Sequence, residues 1–115
     1  MKAAALRLRG ALLIPRVETA AGFIARLVGL LGRNGLEPGR ALLLAPGSMI
    51  HTCGMRFPLD LIFVDRQWTV TRVVRGVRPF RCVSGGKHAH AVLEMQAGWL
   101  PPDAVRAGDR LEPSE

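Results

Sequence analysis

From Ala41 to Leu111 the chain never sustains an apolar run for long before glycine, proline or aspartate interrupts it. The runs Ala41–Leu44, Met49–Cys53, Leu59–Val64, Thr69–Val77, Ala91–Met95 and Asp109–Leu111 have the length of strands. Between them stand Pro46-Gly47, Gly54, Pro58, Asp65-Arg66, Ser84-Gly85-Gly86 and Pro101-Pro102, which supply turn dihedrals or remove a ladder donor. Short strands punctuated in this way predict a mainly β fold, either a jelly-roll-like β-sandwich or a barrel.

The remainder of the chain reads differently. Ala11–Val17 is apolar but interrupted by Pro15, which suits an edge strand and leaves residues 1–10 as a flexible N-terminal extension. Thr19 offers an N-cap for one α-helix near residues 19–31. Phe23, Ile24, Leu27, Val28, Leu30 and Leu31 give that helix a broad apolar stripe, and Gly32 and Asn34-Gly35 stop it. One helix and six or seven strands in 115 residues predict a single domain.

Leu59–Val64 is apolar on both faces. Leu59, Leu61 and Phe63 alternate with Asp60, Ile62 and Val64, so the strand is expected to be central and covered on each side. Asp60 then lies on an apolar face and requires donors, from the Gly54–Pro58 turn or from an arginine such as Arg56.

Composition narrows the function classes. Sixteen basic against nine acidic residues give a net charge of +7, and Arg66–Lys87 holds six basic residues and no acid. Such a stretch attracts phosphates, nucleic acid or anionic lipid, although the six aromatic residues, with no tyrosine, offer little for stacking bases. The bland alternative is a solvated basic face. Two cysteines, Cys53 and Cys82, are too few for a disulfide scaffold. The apolar run Ala11–Ile14 is shorter than a signal-peptide core, and no stretch reaches the length of a membrane span. A cytoplasmic protein with reduced thiols is the expectation, with no prediction of oligomeric state.

Four motifs occur in order. They are the helix end Arg26-Leu27-Val28-Gly29-Leu30-Leu31-Gly32-Arg33, the run Met55 to Asp65, the strand Val92-Leu93-Glu94-Met95-Gln96-Ala97-Gly98, and Gly108-Asp109-Arg110-Leu111. Together they resemble the bacterial and archaeal family known as domain of unknown function 192. The resemblance implies a compact β-sandwich carrying one helix, with no established activity. Family members often carry export signals, which contrasts with the N-terminus of this chain.

Three functional readings follow. In the first, the chain is a non-enzymatic binding or accessory domain for a protein or small molecule. Its groove would lie near Met55–Asp60, with Met55, Pro58, Asp60, Asp65, Glu94 and Asp109 as candidate residues. In the second, a small hydrolase or lyase uses Asp60 and Glu94 as acid and base, assisted by His51. In the third, Arg66–Lys87 binds anions or nucleic acid weakly. Against the first two, Asp65 and Asp109 stand where turns need side-chain acceptors. His51 with Cys53, and His88 with His90, have spacing that places each pair on one face of a strand and could hold zinc. Neither zinc nor any other cofactor is expected, because that site needs the two segments adjacent. Cys53, Met49, Met55 and Met95 read more simply as apolar filler, and Trp68 and Trp99 as partly exposed residues beside turns.

Overall fold

The computed structural model describes residues 1–19, 37–52 and 57–115. Among these there are ten strands and no helix. The strands are β1 (Ala5–Leu8), β2 (Ala11–Ile14), β3 (Arg16–Thr19), β4 (Arg40–Leu44) and β5 (Met49–His51), followed by β6 (Leu59–Val64), β7 (Val70–Val77), β8 (Cys82–Ser84), β9 (Ala91–Gln96) and β10 (Leu111–Ser114). The helix expected near 19–31 falls outside the described residues, apart from Thr19, which ends β3.

A five-stranded sheet, ordered β3-β4-β9-β6-β7, forms the centre. All its pairings are antiparallel except β3 with β4. β6 lies between β9 and β7, and all six of its residues are buried. Its two faces are covered separately. Ile62 and Val64 join Leu93 and Met95 of β9 against Leu6, Leu8, Ile14 and Leu111 of a three-stranded sheet, β10-β1-β2. Leu59, Leu61 and Phe63 join Val92 against Ile50 and Val83 of a two-stranded ribbon, β5-β8. The central, doubly covered strand predicted over Leu59–Val64 is therefore present, and its alternation assigns each side chain to a layer.

Three expectations are corrected. The sheets do not close into a barrel: the central sheet ends at β3 and β7, and its backbone links to the three-stranded sheet are isolated ones, such as the Thr69–Arg110 bridge and the bond from the Val17 amide to the Ala4 carbonyl. Residues 1–10 are not a loose extension, because β1 is paired on both sides, with β10 and β2. The signal was there to read: Leu6 and Leu8 are buried while Arg7 and Arg9 point outward. Ala11–Val17 is not one edge strand either, since Pro15 separates β2 from β3 and the two belong to different sheets.

At one end of the central sheet, the β6–β7 turn meets the segment leading into β9. The amide of His90 donates to the Val64 carbonyl at 2.8 Å, which sets residues 87–90 beside residues 65–67.

Candidate functional site

Asp60 is buried on β6 with a cage of donors. Its Oδ1 accepts from the Gly76 amide at 2.8 Å and its Oδ2 from the Gly98 amide at 3.0 Å, with Arg75 Nε 3.3 Å from Oδ2. The acceptor need foreseen for this residue is met among the described residues by an arginine, Arg75, and by the amides of Gly76 and Gly98. Gly54 and Arg56 lie outside the described residues; Gly76 belongs to a register shift in β7 and Gly98 to the turn after β9. Gly76 and Gly98 both take positive φ, +65° and +82°, which turns each amide toward the carboxylate at little backbone cost. Arg75 also donates to the Leu100 carbonyl. Asp60 thus ties β6 to an edge strand and to the β9–β10 connection.

The other carboxylates are equally committed. Asp65 Oδ1 accepts from the amides of Gln67 and Thr69, both at 2.9 Å, and shapes the β6–β7 turn. Asp109 Oδ2 accepts from the Arg106 amide at 2.8 Å, and its Oδ1 lies 3.2 Å from the exposed Arg9. Both are the turn acceptors that their sequence context suggested.

Glu94 is fully buried, yet it does not meet Asp60. In the β6–β9 register Glu94 stands opposite Leu61, while Asp60 stands opposite Met95. Directly opposed residues share a face, so the two carboxylates project from opposite faces of the sheet. The acid–base pair proposed from sequence is therefore overturned: a sheet layer separates its members. Pro58, just ahead of β6, is exposed, and Met55 falls outside the described residues. Among the described residues of the expected groove near Met55–Asp60, Pro58 is exposed and Asp60 is engaged internally.

Of the four candidate zinc ligands, His51, His88 and His90 are among the described residues. His51 lies exposed on β5, opposite Cys82 of β8, and Cys53 falls outside the described residues. His88 and His90 are in the segment before β9. Among the described residues no three His, Cys, Asp or Glu side chains converge on one metal position. Trp68 and Trp99 are partly buried against the larger core cluster, as their positions beside turns suggested.

What converges instead is basic. A cleft of about 370 Å³ is lined by Asp65, Arg66 and Gln67 from the β6–β7 turn and by Lys87, His88, Ala89 and His90. The six cations of Arg66–Lys87 do not form one stripe. Arg66 and Lys87 face this cleft, Arg72 and Arg75 donate to the carbonyls of Ser84 and Leu100, and Arg78 and Arg81 lie exposed at the end of the β5–β8 ribbon.

Sequence reasoning overlooked the turn at that end of the ribbon. Buried Thr52 donates through Oγ1 to the Arg78 carbonyl at 2.7 Å and accepts from the Arg81 amide at 2.8 Å. Its backbone bonds to Arg81 and Phe80. Within this clamp Phe80 holds φ +62° and is 71% exposed. A non-glycine residue in that region costs about 1–3 kcal/mol and persists only where its surroundings over-determine it. The Arg-Pro-Phe-Arg string carries no local signal for this, since the clamp comes from a threonine far away in sequence.

No helix among the described residues is long and apolar enough to cross a membrane. The family model for domain of unknown function 192, described as an uncharacterized ACR, matches residues 4–113. Among solved structures, the chain is similar to a Sinorhizobium meliloti protein described as a candidate transcription regulator. That match has 26% identity and a TM-score of 0.70 over 84% of this chain and 80% of the other. It is also similar in fold to a Novosphingobium aromaticivorans protein of unknown function, at 23% identity and a TM-score of 0.71, over 84% of this chain and 74% of the other. No curated protein matches the chain.

Proposed function

The chain belongs to the domain of unknown function 192 family, and from that premise we propose that it is a non-enzymatic binding domain for a small phosphorylated or polycarboxylate ligand. The ligand occupies the cleft between the β6–β7 turn and the Lys87–His90 segment. One observation carries this reading: two cationic and two imidazole side chains line a single cleft whose only carboxylate among the described residues, Asp65, accepts through Oδ1 from the amides of Gln67 and Thr69. A cleft in which one charge sign is in excess concentrates ligands of the other, and charge-assisted hydrogen bonds to guanidinium and ammonium are the strong kind. Binding rather than catalysis is favoured because Asp60, Asp65 and Asp109 are held by backbone donors and Glu94 lies on a different face from Asp60.

The test is a calorimetric titration with pyrophosphate and with citrate. Binding is expected to fall about tenfold or more in Arg66→Gln and in Lys87→Gln, the loss of one charge-assisted contact. Arg78→Gln, outside the cleft, should leave it unchanged. No binding of either anion, or an equal loss in Arg78→Gln, would sink the reading.

A second reading, contact with a nucleic-acid backbone, is favoured by the description of the Sinorhizobium protein as a candidate regulator. It requires affinity for oligonucleotides that falls with salt at a slope of several charges, whereas a small-anion site shows a shallow one.

A further inference from the structure

The described residues include three large hydrophobic side chains that are strongly exposed, and two of them, Met49 at 62% and Phe80 at 71%, belong to the β5–β8 ribbon and the turn leading into it. The ribbon has an inner and an outer face. Ile50 and Val83, directly opposed, pack inward on Leu59, Leu61 and Phe63. Met49, His51, Cys82 and Ser84 alternate with them and are exposed on the outer face. That face carries no acid.

Arg78 and Arg81, both exposed, flank the Phe80 turn. The two arginines lie in a stretch, Arg66–Lys87, with six basic residues and no acidic one. The apolar tip is also held rigidly. Five hydrogen bonds between Thr52 and residues 78–81 fix a conformation that an aromatic residue disfavours. An exposed side chain gains nothing for the fold from that conformation, so the constraint presents Phe80 outward.

We propose that the outer face of this ribbon, with Phe80 at its end, docks on an anionic lipid bilayer. Charge and shape select this occupant. A projecting aromatic between two arginines matches the membrane interface, where the ring enters the acyl boundary and the guanidinium groups remain at headgroup phosphates. Met49 and Cys82 add apolar side chains to the same outer face, beside His51 and Ser84. A second copy of the chain would set Arg78 and Arg81 against like charge, which opposes self-association. Single-stranded nucleic acid is bound by successive stacked bases, and this surface offers one exposed aromatic ring. The site is separate from the anion cleft, so either can fail without the other.

The experiment is co-sedimentation with vesicles of phosphatidylcholine, with and without phosphatidylglycerol. Wild-type protein should bind only the anionic vesicles. Net positive charge alone would produce that much, so the deciding variant is Phe80→Gly. Glycine accepts the positive φ, so the fold is retained or stabilised while the ring is lost. Vesicle binding should fall about tenfold or more, the share of a buried aromatic side chain. Arg78→Gln with Arg81→Gln should abolish it. Equal binding to neutral and anionic vesicles, or unchanged binding in Phe80→Gly, overturns the proposal. Failure to bind vesicles together with Phe80-dependent binding of a single-stranded oligonucleotide overturns it in favour of base stacking.

Discussion

Asp60 illustrates how much one side chain can organise. Its carboxylate is 2% exposed and holds two backbone amides and a guanidinium from the irregular end of β7 and the turn after β9, the two strands that flank β6. Removing one partner of such an arrangement leaves buried donors without acceptors, which costs more than the hydrogen bonds themselves are worth net. Asp60→Ala should therefore destabilise the protein by about 3–5 kcal/mol in urea unfolding. A change below about 1 kcal/mol would show that the cage is incidental. A glycine sets the opposite kind of limit nearby. A Cβ on Gly85 would lie 2.3 Å from the ring of Phe63, so the loop after β8 closes directly onto the central strand.

At the scale of elements, the β1–β2 hairpin depends on a two-residue turn, Arg9-Gly10, in which both residues have positive φ. That geometry matches the right-handed twist of the strands and is favoured by Asn-Gly rather than Arg-Gly. Arg9 also makes an ion pair with Asp109, but its side chain is 73% exposed, and pairs of that kind contribute little. The backbone term should win: Arg9→Asn is expected to stabilise the protein by about 0.5 kcal/mol, read as a higher urea midpoint. A lower midpoint would mean that the ion pair outweighs the turn. The same hairpin explains why β1 escaped sequence reading. Arg-Gly is a weak turn signal, so the alternation Leu6-Arg7-Leu8-Arg9 does not by itself mark a hairpin.

At the scale of the whole molecule, the two ends of the chain complete one sheet. Ala5 through Leu8 pair with Ser114 through Leu111, and Leu111 is buried beside Leu6 and Leu8 in the larger core cluster. Pro113 is tolerated because β10 is an edge strand. Deleting Leu111–Glu115 would remove both the ladder and a buried leucine, and should cost at least about 3 kcal/mol by thermal or urea unfolding. An unchanged midpoint would show that β1 holds without β10. Within the basic stretch, Arg66 and Lys87 line the anion cleft while Arg78 and Arg81 flank the Phe80 turn.

The sequence by itself determined the mainly β class, the doubly buried strand Leu59–Val64 and the turn roles of Asp65 and Asp109. Each follows from a period of two or from hydrogen bonds spanning two to four residues, which local chemistry dictates. Only the tertiary structure decided the donors of Asp60, which stand 16 and 38 residues away, and the placement of Asp60 and Glu94 on opposite faces. It also decided the division of the basic stretch among three surroundings and the clamp that Thr52 places on Phe80, 28 residues on. These depend on strand register, and a slip of one residue would exchange every face, so no local pattern could assign them.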